Sequence, residues 1–424
     1  MKNLENKICI IGLGYVGFPL AIEFSKYYKT YGYDVNQTRI SDLKNNLDKT
    51  GEIASITIKE SDLNLTSNKD DIKSCNVYII TVPTPIDESK KPDLGALRSA
   101  SEFVGEIIKP NDLVIYESTV YPGCTREECI PLIEKKSKLK LNKDFLCGYS
   151  PERINPGDKV NNLKNITKIV SGSNEKALNM VDKLYSKIVS EAETFKVSSL
   201  EIAEAAKVIE NTQRDLNIAF VNELALIFEK LNINTKEVID AAATKWNFLP
   251  YKPGLVGGHC IGVDPYYLTH KADISGYSPE IILAGRKLND NMGFYIAERV
   301  IKLMISKSII VENSNILVLG LTFKENCPDI RNSKVIDVIN ELREYNTNID
   351  IYDPWVDDKT VKNEYGLSLS DSSCFNKKYD SIILAVAHSQ FLEIKLEKIT
   401  HDRSVIFDIK SVLPNNRNLN IYQL

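Results

Sequence analysis

A glycine-rich turn between a short apolar strand and a helix places the strongest constraint on the fold of this chain. Residues 7–11 are mostly apolar and rich in isoleucine, Gly12-Leu-Gly14-Tyr-Val-Gly17 follows at once, and a helix is predicted from there to Lys26. A second predicted strand, 30–33, ends at Asp34. In such a unit the glycines let a pyrophosphate approach the helix N-terminus, and the acid receives the ribose hydroxyls. The sequence therefore predicts a dinucleotide-binding domain.

The acid after the second strand also indicates which dinucleotide binds. An acidic residue there favours NAD, whereas an arginine nearby accommodates the 2′-phosphate of NADP. Asp34 therefore predicts NAD as the cofactor, and Arg39 leaves NADP open as the alternative.

Strands alternate with helical segments in both halves of the chain, which is typical of doubly wound parallel sheets. We predict two Rossmann-like α/β sheets joined by a long central helix and a helical domain, the second sheet shorter and without a complete glycine motif. The remaining predicted strands are 77–82, 113–116 and 169–171 in the first sheet, and 315–319, 349–352, 381–387 and 405–408 in the second.

The long helix is predicted from the absence of glycine and proline between Ser198 and about Leu231. Ser198-Ser-Leu-Glu201 reads as a capping box, and alanine, leucine and isoleucine follow at helical spacing. The changes in sequence pattern along the chain predict an NAD-binding domain at 1–197, a central helical domain with the cysteine loop at 198–308, and a second α/β domain at 309–424 that binds a different ligand.

The segment 253–268 carries a cysteine on a glycine-rich loop. Its four glycines allow close approach of the backbone to a ligand at Cys260, and Asp264 stands four residues beyond. A thiol and a nearby carboxylate supply the nucleophile and the acid/base help that covalent catalysis on a carbonyl needs. The alternative is a tight loop around a small, inert cysteine.

Two polar residues on the long helix are candidates for stabilising a negatively charged oxygen. Lys207 and Asn211 are four residues apart and share a face, Arg214 is three residues further on, and apolar residues surround Lys207. A partly desolvated lysine beside an amide is suited to hold an oxyanion. The alternative is a solvated lysine without a function.

Bulk composition excludes several kinds of partner and site. There are 53 basic and 57 acidic residues, a net charge of −4, and they are interspersed, so no basic face for nucleic acid or anionic lipid is predicted. The eight cysteines include no CxxC pair, so we predict neither a zinc site nor disulfides. With no apolar run of membrane-spanning length and no signal-peptide pattern, the prediction is a soluble, cytoplasmic protein.

The combination of a dinucleotide site with a cysteine loop limits the chemistry. NAD carries a hydride. A nucleophilic cysteine is superfluous for oxidising an alcohol to an aldehyde, but it serves the oxidation of an aldehyde to an acid through a hemithioacetal and a thioester. The sequence therefore suggests a four-electron oxidation at one carbon.

Over essentially its whole length the chain resembles the UDP-glucose/GDP-mannose dehydrogenase family, and within it the branch that acts on UDP-N-acetylhexosamines. The strings that carry the resemblance are Gly12–Gly17, Glu117-Ser-Thr119, Ser150-Pro-Glu152, Lys207-Val-Ile-Glu-Asn211, Gly257-Gly-His-Cys260, Val263-Asp264, Phe323-Lys324 and Arg331.

The resemblance implies a role for each matching residue. The catalytic set would be Cys260 as nucleophile, Lys207 and Asn211 on the oxygen at C6, Asp264 for proton transfer, Glu152 for thioester hydrolysis and Thr119 to place water or cofactor. Cofactor contacts are implied for Gly12, Gly14, Tyr15, Val16, Gly17, Asp34, Arg39, Thr84, Thr119 and Arg331. Substrate contacts are implied for Glu152, Arg153, Lys207, Asn211, Arg214, Gly257, Phe323 and Lys324.

One position departs from the UDP-glucose members, which carry a second glutamate where this chain has Pro156. That departure argues against glucose, and Arg153 is predicted to shape the pocket for an acetamido sugar. The resemblance thus implies oxidation of UDP-N-acetylglucosamine to the uronic acid for a surface polysaccharide, by a homodimer joined through the long helix. The alternatives are the galacto and manno epimers, UDP-glucose, a two-electron hydroxyacid dehydrogenase with an inert Cys260, and a cofactor-binding regulatory protein without turnover.

Overall fold

The computed structural model describes residues 6–154, 162–414 and 416–424. The chain divides into two compact units. The first comprises Met1–Glu210 and Tyr266–Tyr277, and the second Asn211–Pro265 and Ser278–Leu424.

The first unit is built on an eight-stranded sheet in the order β3-β2-β1-β4-β5-β6-β7-β8. Its central strands are short and apolar, and β4, β5 and β6 are buried at every position, as expected of parallel strands covered on both faces. The strands are β1 (Lys7–Ile11), β2 (Lys29–Tyr33), β3 (Asn64–Thr66), β4 (Val77–Ile80), β5 (Leu113–Tyr116), β6 (Leu146–Tyr149), β7 (Lys168–Gly172) and β8 (Thr194–Lys196).

One pair in this sheet differs from the predicted parallel arrangement. Strand β7 runs antiparallel to β6, with Tyr149 opposite Ser171, whereas the other neighbours are parallel. A parallel return requires a crossover, usually a helix. The described residues between Tyr149 and Lys168, which are 150–154 and 162–167, contain turns and no helix.

The second unit contains a five-stranded parallel sheet in the order β10-β9-β11-β12-β13. Its strands are β9 (Asn315–Leu319), β10 (Asn348–Tyr352), β11 (Tyr379–Leu384), β12 (Thr400–Asp408) and β13 (Asn420–Gln423).

The α-helices of the described residues are α1 (Gly17–Ser25), α2 (Gln37–Lys44), α3 (Ser55–Lys59), α4 (Lys69–Ile72), α5 (Gly95–Gly105), α6 (Ile130–Ser137), α7 (Glu175–Ile188), α8 (Leu200–Leu231), α9 (Thr235–Ala242), α10 (Asp264–Ile274), α11 (Glu280–Ser306), α12 (Val335–Glu344) and α13 (Asp358–Tyr365).

The two sheets begin with the same local structure. In the first, Gly12 has φ +94° and its N–H donates to the Tyr33 carbonyl at 2.9 Å. In the second, Gly320 also has φ +94°, and its N–H donates to the Tyr352 carbonyl at 2.9 Å. A side chain is strained at such a φ, so each first strand needs glycine at this turn.

The long helix α8 confirms the helix predicted between Ser198 and about Leu231, but its N-terminus differs by one residue. The helix begins at Leu200, and the Ser199 hydroxyl accepts the N–H of Ile202 at 3.3 Å. Ser199 is therefore the capping residue. The predicted capping box starting at Ser198 is wrong, because Glu201 then lies too early in the first turn to close it.

Candidate active site

The glycine turn after β1 has the shape that a dinucleotide pyrophosphate needs. A Cβ at Gly17 would lie 1.9 Å from the Gly12 carbonyl oxygen, so only glycine allows helix α1 to pack this closely on the turn. A Cβ at Gly14 would meet no atom within 4 Å, so open space lies in front of the turn. The N-terminus of α1 is a favourable place for phosphate. The residues present therefore fit NAD.

Asp34 and Arg39 both lie against this turn. The Asp34 carboxylate accepts the N–H of Leu13 at 2.8 Å, which holds the end of β2 beside the glycines. The Arg39 Nε donates to the Leu13 carbonyl at 2.8 Å, and its guanidinium lies over the Phe18 ring. A further guanidinium nitrogen lies 2.8 Å from the Asp48 carboxylate, so Arg39 is engaged within the protein.

The loops after β4 and β5 are tied together by threonines. The Thr84 hydroxyl donates to the Thr119 carbonyl at 2.7 Å, and the Thr84 carbonyl accepts the hydroxyl of Tyr267 at 2.7 Å. The carboxyl ends of parallel strands are where such a sheet binds its ligand. Thr84 and Thr119 are thus brought together at the edge where the cofactor is expected.

A buried ion cluster lies at the ends of β5 and β6. Lys168 Nζ lies 2.8 Å from Glu117 Oε2 and 3.0 Å from Glu152 Oε2. Burial by itself would raise the pKa of the Glu152 carboxyl, but Lys168 and two backbone N–H groups lower it below its ordinary value. Burial raises the pKa of Glu117 above its ordinary range. Glu152 is therefore ionised at neutral pH.

Arg153 is anchored rather than free. Its guanidinium makes an ion pair of 2.9 Å with Glu210 and donates to the Thr167 carbonyl at 2.8 Å. Glu210 stands beside Asn211 in α8, so Arg153 ties the loop after β6 to the part of the helix that carries the predicted catalytic pair. Pro156 lies outside the described residues.

The cysteine loop leads directly into helix α10. The Cys260 carbonyl accepts the N–H groups of Val263 and Asp264 at 3.0 and 2.8 Å, which forms the turn that starts the helix. Asp264 is buried, and its carboxylate accepts the side-chain amide of Asn211 at 2.6 Å. The structure thus brings Asn211 together with Asp264 at the end of the loop that carries Cys260. Lys207, one turn before Asn211 in α8, is also buried.

Two glycines of this loop pack closely against other parts of the protein. A Cβ at Gly257 would lie 2.6 Å from the Asn332 carbonyl oxygen. A Cβ at Gly258, where φ is +88°, would lie 2.7 Å from the Phe323 ring. The cysteine loop of the second unit therefore packs directly on the segments that carry Phe323 and Arg331.

The segment after β9 carries Phe323 and Lys324, predicted as substrate contacts, and Arg331, predicted as a cofactor contact. The Thr322 hydroxyl donates to the Lys324 carbonyl at 2.9 Å, and the Asn326 N–H donates to Nδ1 of the buried His388 at 2.9 Å. Arg331 pairs with Asp329 through two guanidinium nitrogens, and Arg214 is exposed on α8.

Several residues with an evident structural role in these segments were not predicted from sequence. Lys168 is the first residue of a buried, mostly apolar strand. A charged residue at such a position could have indicated a buried partner of opposite charge. Asn222 and His388 gave no signal, because their partners, which include both backbone and side-chain groups, are at least 32 residues away in sequence. Lys410 lines a pocket with Gly257 and Phe323, and burial lowers the pKa of its amine.

In the part of the chain that the structure describes, no helix combines the length and apolar character needed to cross a membrane.

Comparison with known proteins supplies the family. Residues 6–189 match the NAD-binding domain, 201–291 the central domain and 317–415 the UDP-binding domain of the UDP-glucose/GDP-mannose dehydrogenase family. Proteins named UDP-N-acetyl-D-glucosamine 6-dehydrogenase from Salmonella typhi and Pseudomonas aeruginosa are 57% and 53% identical, over 97% and 99% of both chains. A solved UDP-D-ManNAc dehydrogenase from Pyrococcus horikoshii is 30% identical, with a TM-score of 0.89 over 98% of each chain. This chain belongs to the UDP-glucose/GDP-mannose dehydrogenase family and is an NAD-dependent nucleotide-sugar dehydrogenase.

Proposed function

We propose that the enzyme oxidises the C6 hydroxyl of UDP-N-acetyl-D-glucosamine to the carboxylate, with two NAD reduced per sugar. The relatives named for that sugar are 57% and 53% identical over nearly the whole chain, whereas the relative of known structure named for the manno epimer is 30% identical. Identity at this level over full length is the observation that carries the choice of sugar. The product would supply a surface polysaccharide.

The first oxidation uses the buried polar residues of α8. Lys207 and Asn211 are one turn apart, and we assign their ammonium and amide groups to the oxygen at C6, where they stabilise negative charge. Asp264, already hydrogen-bonded to Asn211, takes up the hydroxyl proton through water. NAD, when bound, accepts the hydride in each of the two oxidations.

The second oxidation uses the cysteine loop. The Cys260 sulfur bonds to C6 of the aldehyde while the thiol proton goes to the aldehyde oxygen, which gives a hemithioacetal. The second oxidation removes a hydride from C6 and the hydroxyl proton, and leaves a thioester. Water then adds to the thioester carbon, the carbon–sulfur bond breaks, and the sulfur leaves and takes up one proton of the water. The other proton goes to solvent as the acid ionises. We assign Glu152 to this hydrolysis as the ionised group that accepts a hydrogen bond from the water.

Residue roles at the two nucleotide sites follow the same proposal. The pyrophosphate of NAD binds at the glycine turn next to Tyr15 and Val16, its ribose at Asp34, with Thr84, Thr119, Arg39 and Arg331 as further contacts. The UDP-sugar contacts Arg153, Arg214, Gly257, Phe323 and Lys324. Lys410 joins this set because it lines a pocket with Gly257 and Phe323.

We also place the enzyme in the cytoplasm. Six cysteines, namely Cys9, Cys75, Cys124, Cys129, Cys147 and Cys374, are buried and form no disulfide. Unpaired thiols of this kind are usual in a reducing compartment.

A homodimer through α8 completes the proposal. Five large apolar residues that recur along this helix are 45–59% exposed, and grouped apolar surface of this kind marks a site of contact with another protein molecule. They are Ile202, Ile209, Phe220, Ile227 and Leu231.

The test is the number of NADH formed per UDP-N-acetylglucosamine consumed at completion. We expect two, and one would mean that the reaction stops at the aldehyde. Cys260→Ser separates the four-electron reaction from a simple two-electron dehydrogenase: loss of acid formation supports the proposal, and unchanged turnover contradicts it. Turnover on the galacto and manno epimers, measured alongside, tests the choice of sugar.

A further inference from the structure

A lysine buried between two carboxylates has no part in the reaction described so far. The side chain of Lys168 is 3% exposed, that of Glu117 is fully buried, and that of Glu152 is 12% exposed. A buried ammonium is costly unless it is paired and hydrogen-bonded, and an apolar residue at such a position is often equally stable. Folding alone therefore does not call for a lysine as the first residue of β7.

The antiparallel course of β7 explains how this lysine reaches Glu152. The ladder pairs Gly148 with Gly172 and Tyr149 with Ser171. Continuing that register by three residues brings Lys168 opposite Glu152, and the Ser150 hydroxyl donates to the Ile169 carbonyl at 2.7 Å within this extension. The departure from a parallel sheet thus serves to place a cation beside the predicted catalytic carboxylate.

On the side away from Glu152, Lys168 is covered by Glu117 and Tyr185. The hydroxyl of Tyr185 donates to Glu117 Oε1, while Glu117 Oε2 holds the lysine. The Lys168 amine also lies 5.4 Å from the centre of the Tyr185 ring. Glu117 and Tyr185, both fully buried, therefore hold the ammonium on one side, and Glu152 is the partly exposed carboxylate that it holds on the other.

The oxygens of Glu152 are held in a fixed orientation. Oε2 accepts from Lys168, and Oε1 accepts the N–H groups of Arg153 and Ile154, both at 2.6 Å. A carboxylate with this many charge-assisted and backbone donors is kept ionised and oriented.

We infer that Lys168, backed by Glu117 and Tyr185, is a positioning residue for thioester hydrolysis, since it keeps the Glu152 carboxylate charged and directed toward the hydrolytic water. The inference rests on the proposed function, which assigns Glu152 to that step. Without Lys168, burial would favour the protonated form of Glu152, and the acid would no longer accept the hydrogen bond from water until the pH is raised.

The experiment compares Lys168→Met, Lys168→Arg, Glu152→Gln and the exposed control Lys187→Met in the full-length enzyme with UDP-N-acetylglucosamine and NAD. Two quantities are measured: kcat between pH 6 and 9.5, and the covalent adduct on Cys260 by intact-protein mass spectrometry. We expect Lys168→Met to lose about 10-fold or more in kcat at pH 7, to regain much of it near pH 9, and to accumulate the adduct. Lys168→Arg should stay within about 3-fold of wild type, because the cation is kept.

Glu152→Gln distinguishes a failure of the role inferred for Lys168 from a failure of the role assigned to Glu152. Accumulation of the adduct in Glu152→Gln together with an unshifted pH profile in Lys168→Met would overturn the role of Lys168 alone. Turnover of Glu152→Gln without adduct would overturn the assignment of Glu152 itself. If Lys168→Met does not fold, Lys168→Gln keeps hydrogen bonds without the charge, and the same alkaline shift is expected; an unchanged profile contradicts the inference.

Discussion

Asp264 is hydrogen-bonded both to the cysteine loop and to the long helix α8. Its buried carboxylate accepts the Asn211 amide at 2.6 Å, and its N–H donates to the Cys260 carbonyl. Asp264→Asn keeps the shape and an oxygen for Asn211 but removes the negative charge to which we assign the uptake of the proton. We expect kcat to fall by about 10²-fold or more with little change in KM, measured as initial rates of NADH formation.

The matched control for this substitution lies in the same helix. Asp273→Asn changes an exposed carboxylate near the end of α10 and should leave kcat unchanged. A similar loss in both variants would mean that Asp264 acts through helix α10 as a whole rather than at the reacting oxygen.

Asp112 gives a pH dependence of stability that is independent of catalysis. It is buried just before β5, and burial raises the pKa of its carboxyl to about 6, against 3.8 ordinarily. Because the pKa of Asp112 is higher in the folded state than in the unfolded state, its contribution to the free energy of unfolding is largest at low pH. That contribution falls by about 3 kcal/mol as the pH rises from about 4 to about 6.

Asp112→Asn tests this sign. The amide oxygen can still accept the Lys109 N–H, which the carboxylate accepts at 2.8 Å, and the variant has no charge to bury. We expect the Tm of Asp112→Asn to fall less than that of wild type between pH 4.5 and 7, whereas the exposed Asp62→Asn should follow wild type. Parallel curves for Asp112→Asn and wild type would contradict the prediction.

At the scale of elements, helix α8 holds the start of the cysteine loop by a two-sided clamp. Asn222 accepts the N–H of Gly254 at 2.7 Å and donates to its carbonyl at 3.0 Å. The Asn222 amide also donates to Asn289 of α11, which in turn donates to the Asp215 carboxylate that pairs with the buried Arg286. The loop is therefore fixed by buried polar residues of two helices.

Asn222→Ala removes both hydrogen bonds to Gly254 and leaves buried backbone groups without these partners. We expect a loss of about 10- to 100-fold in kcat, since small displacements of a nucleophile are costly, together with a lower Tm. Asn291→Ala, on the exposed side of α11, is the control and should leave the rate unchanged. A lower Tm with wild-type kcat would show that the clamp stabilises the fold without positioning Cys260.

The sequence was most informative where a strand is built from β-branched residues. The predicted bounds of β1, β5 and β9 agree with the structure. Strand β6 was missed because Leu-Cys-Gly-Tyr has no β-branched residue and contains a glycine, and β3 and β8 have three residues each. The antiparallel pairing of β7 with β6 was not predicted, because a lone apolar run does not reveal the direction of a strand.

In the candidate site too, the residues with a local sequence pattern were predicted, and those that depend on distant partners were not. Cys260, Asn211 and Asp264 were predicted because their spacing or their glycine-rich setting is visible locally. Lys168 was not, because Glu152 and Glu117 are 16 and 51 residues away and the register of the sheet brings them together. Asn222 was not, because Gly254 is 32 residues away and the packing of the loop brings it close.

For the whole molecule, both units use one structural device. Leu13 and Leu321 follow the left-handed glycines, and their N–H groups donate to Asp34 and Asp353 at 2.8 and 2.7 Å. The two sheets differ in the segment that follows this glycine. Gly14 leaves open space in the first, while the segment after Gly320 carries Phe323 and Lys324 instead of further glycines. The family comparison, which finds an NAD-binding and a UDP-binding domain in these regions, agrees with that difference.

The assembly predicted from α8 can be tested without disturbing either nucleotide site. Phe220 and Ile227 are seven residues apart, lie on one face of α8, and are 55% and 45% exposed. Arginine at both positions would place two charges in an apolar contact between copies, so Phe220→Arg/Ile227→Arg should sediment as a monomer at concentrations where wild type is a dimer. Ile310→Arg, which changes an 82% exposed residue between α11 and β9, should remain a dimer. If the double variant keeps the wild-type sedimentation coefficient and folds normally, copies associate through another surface or not at all.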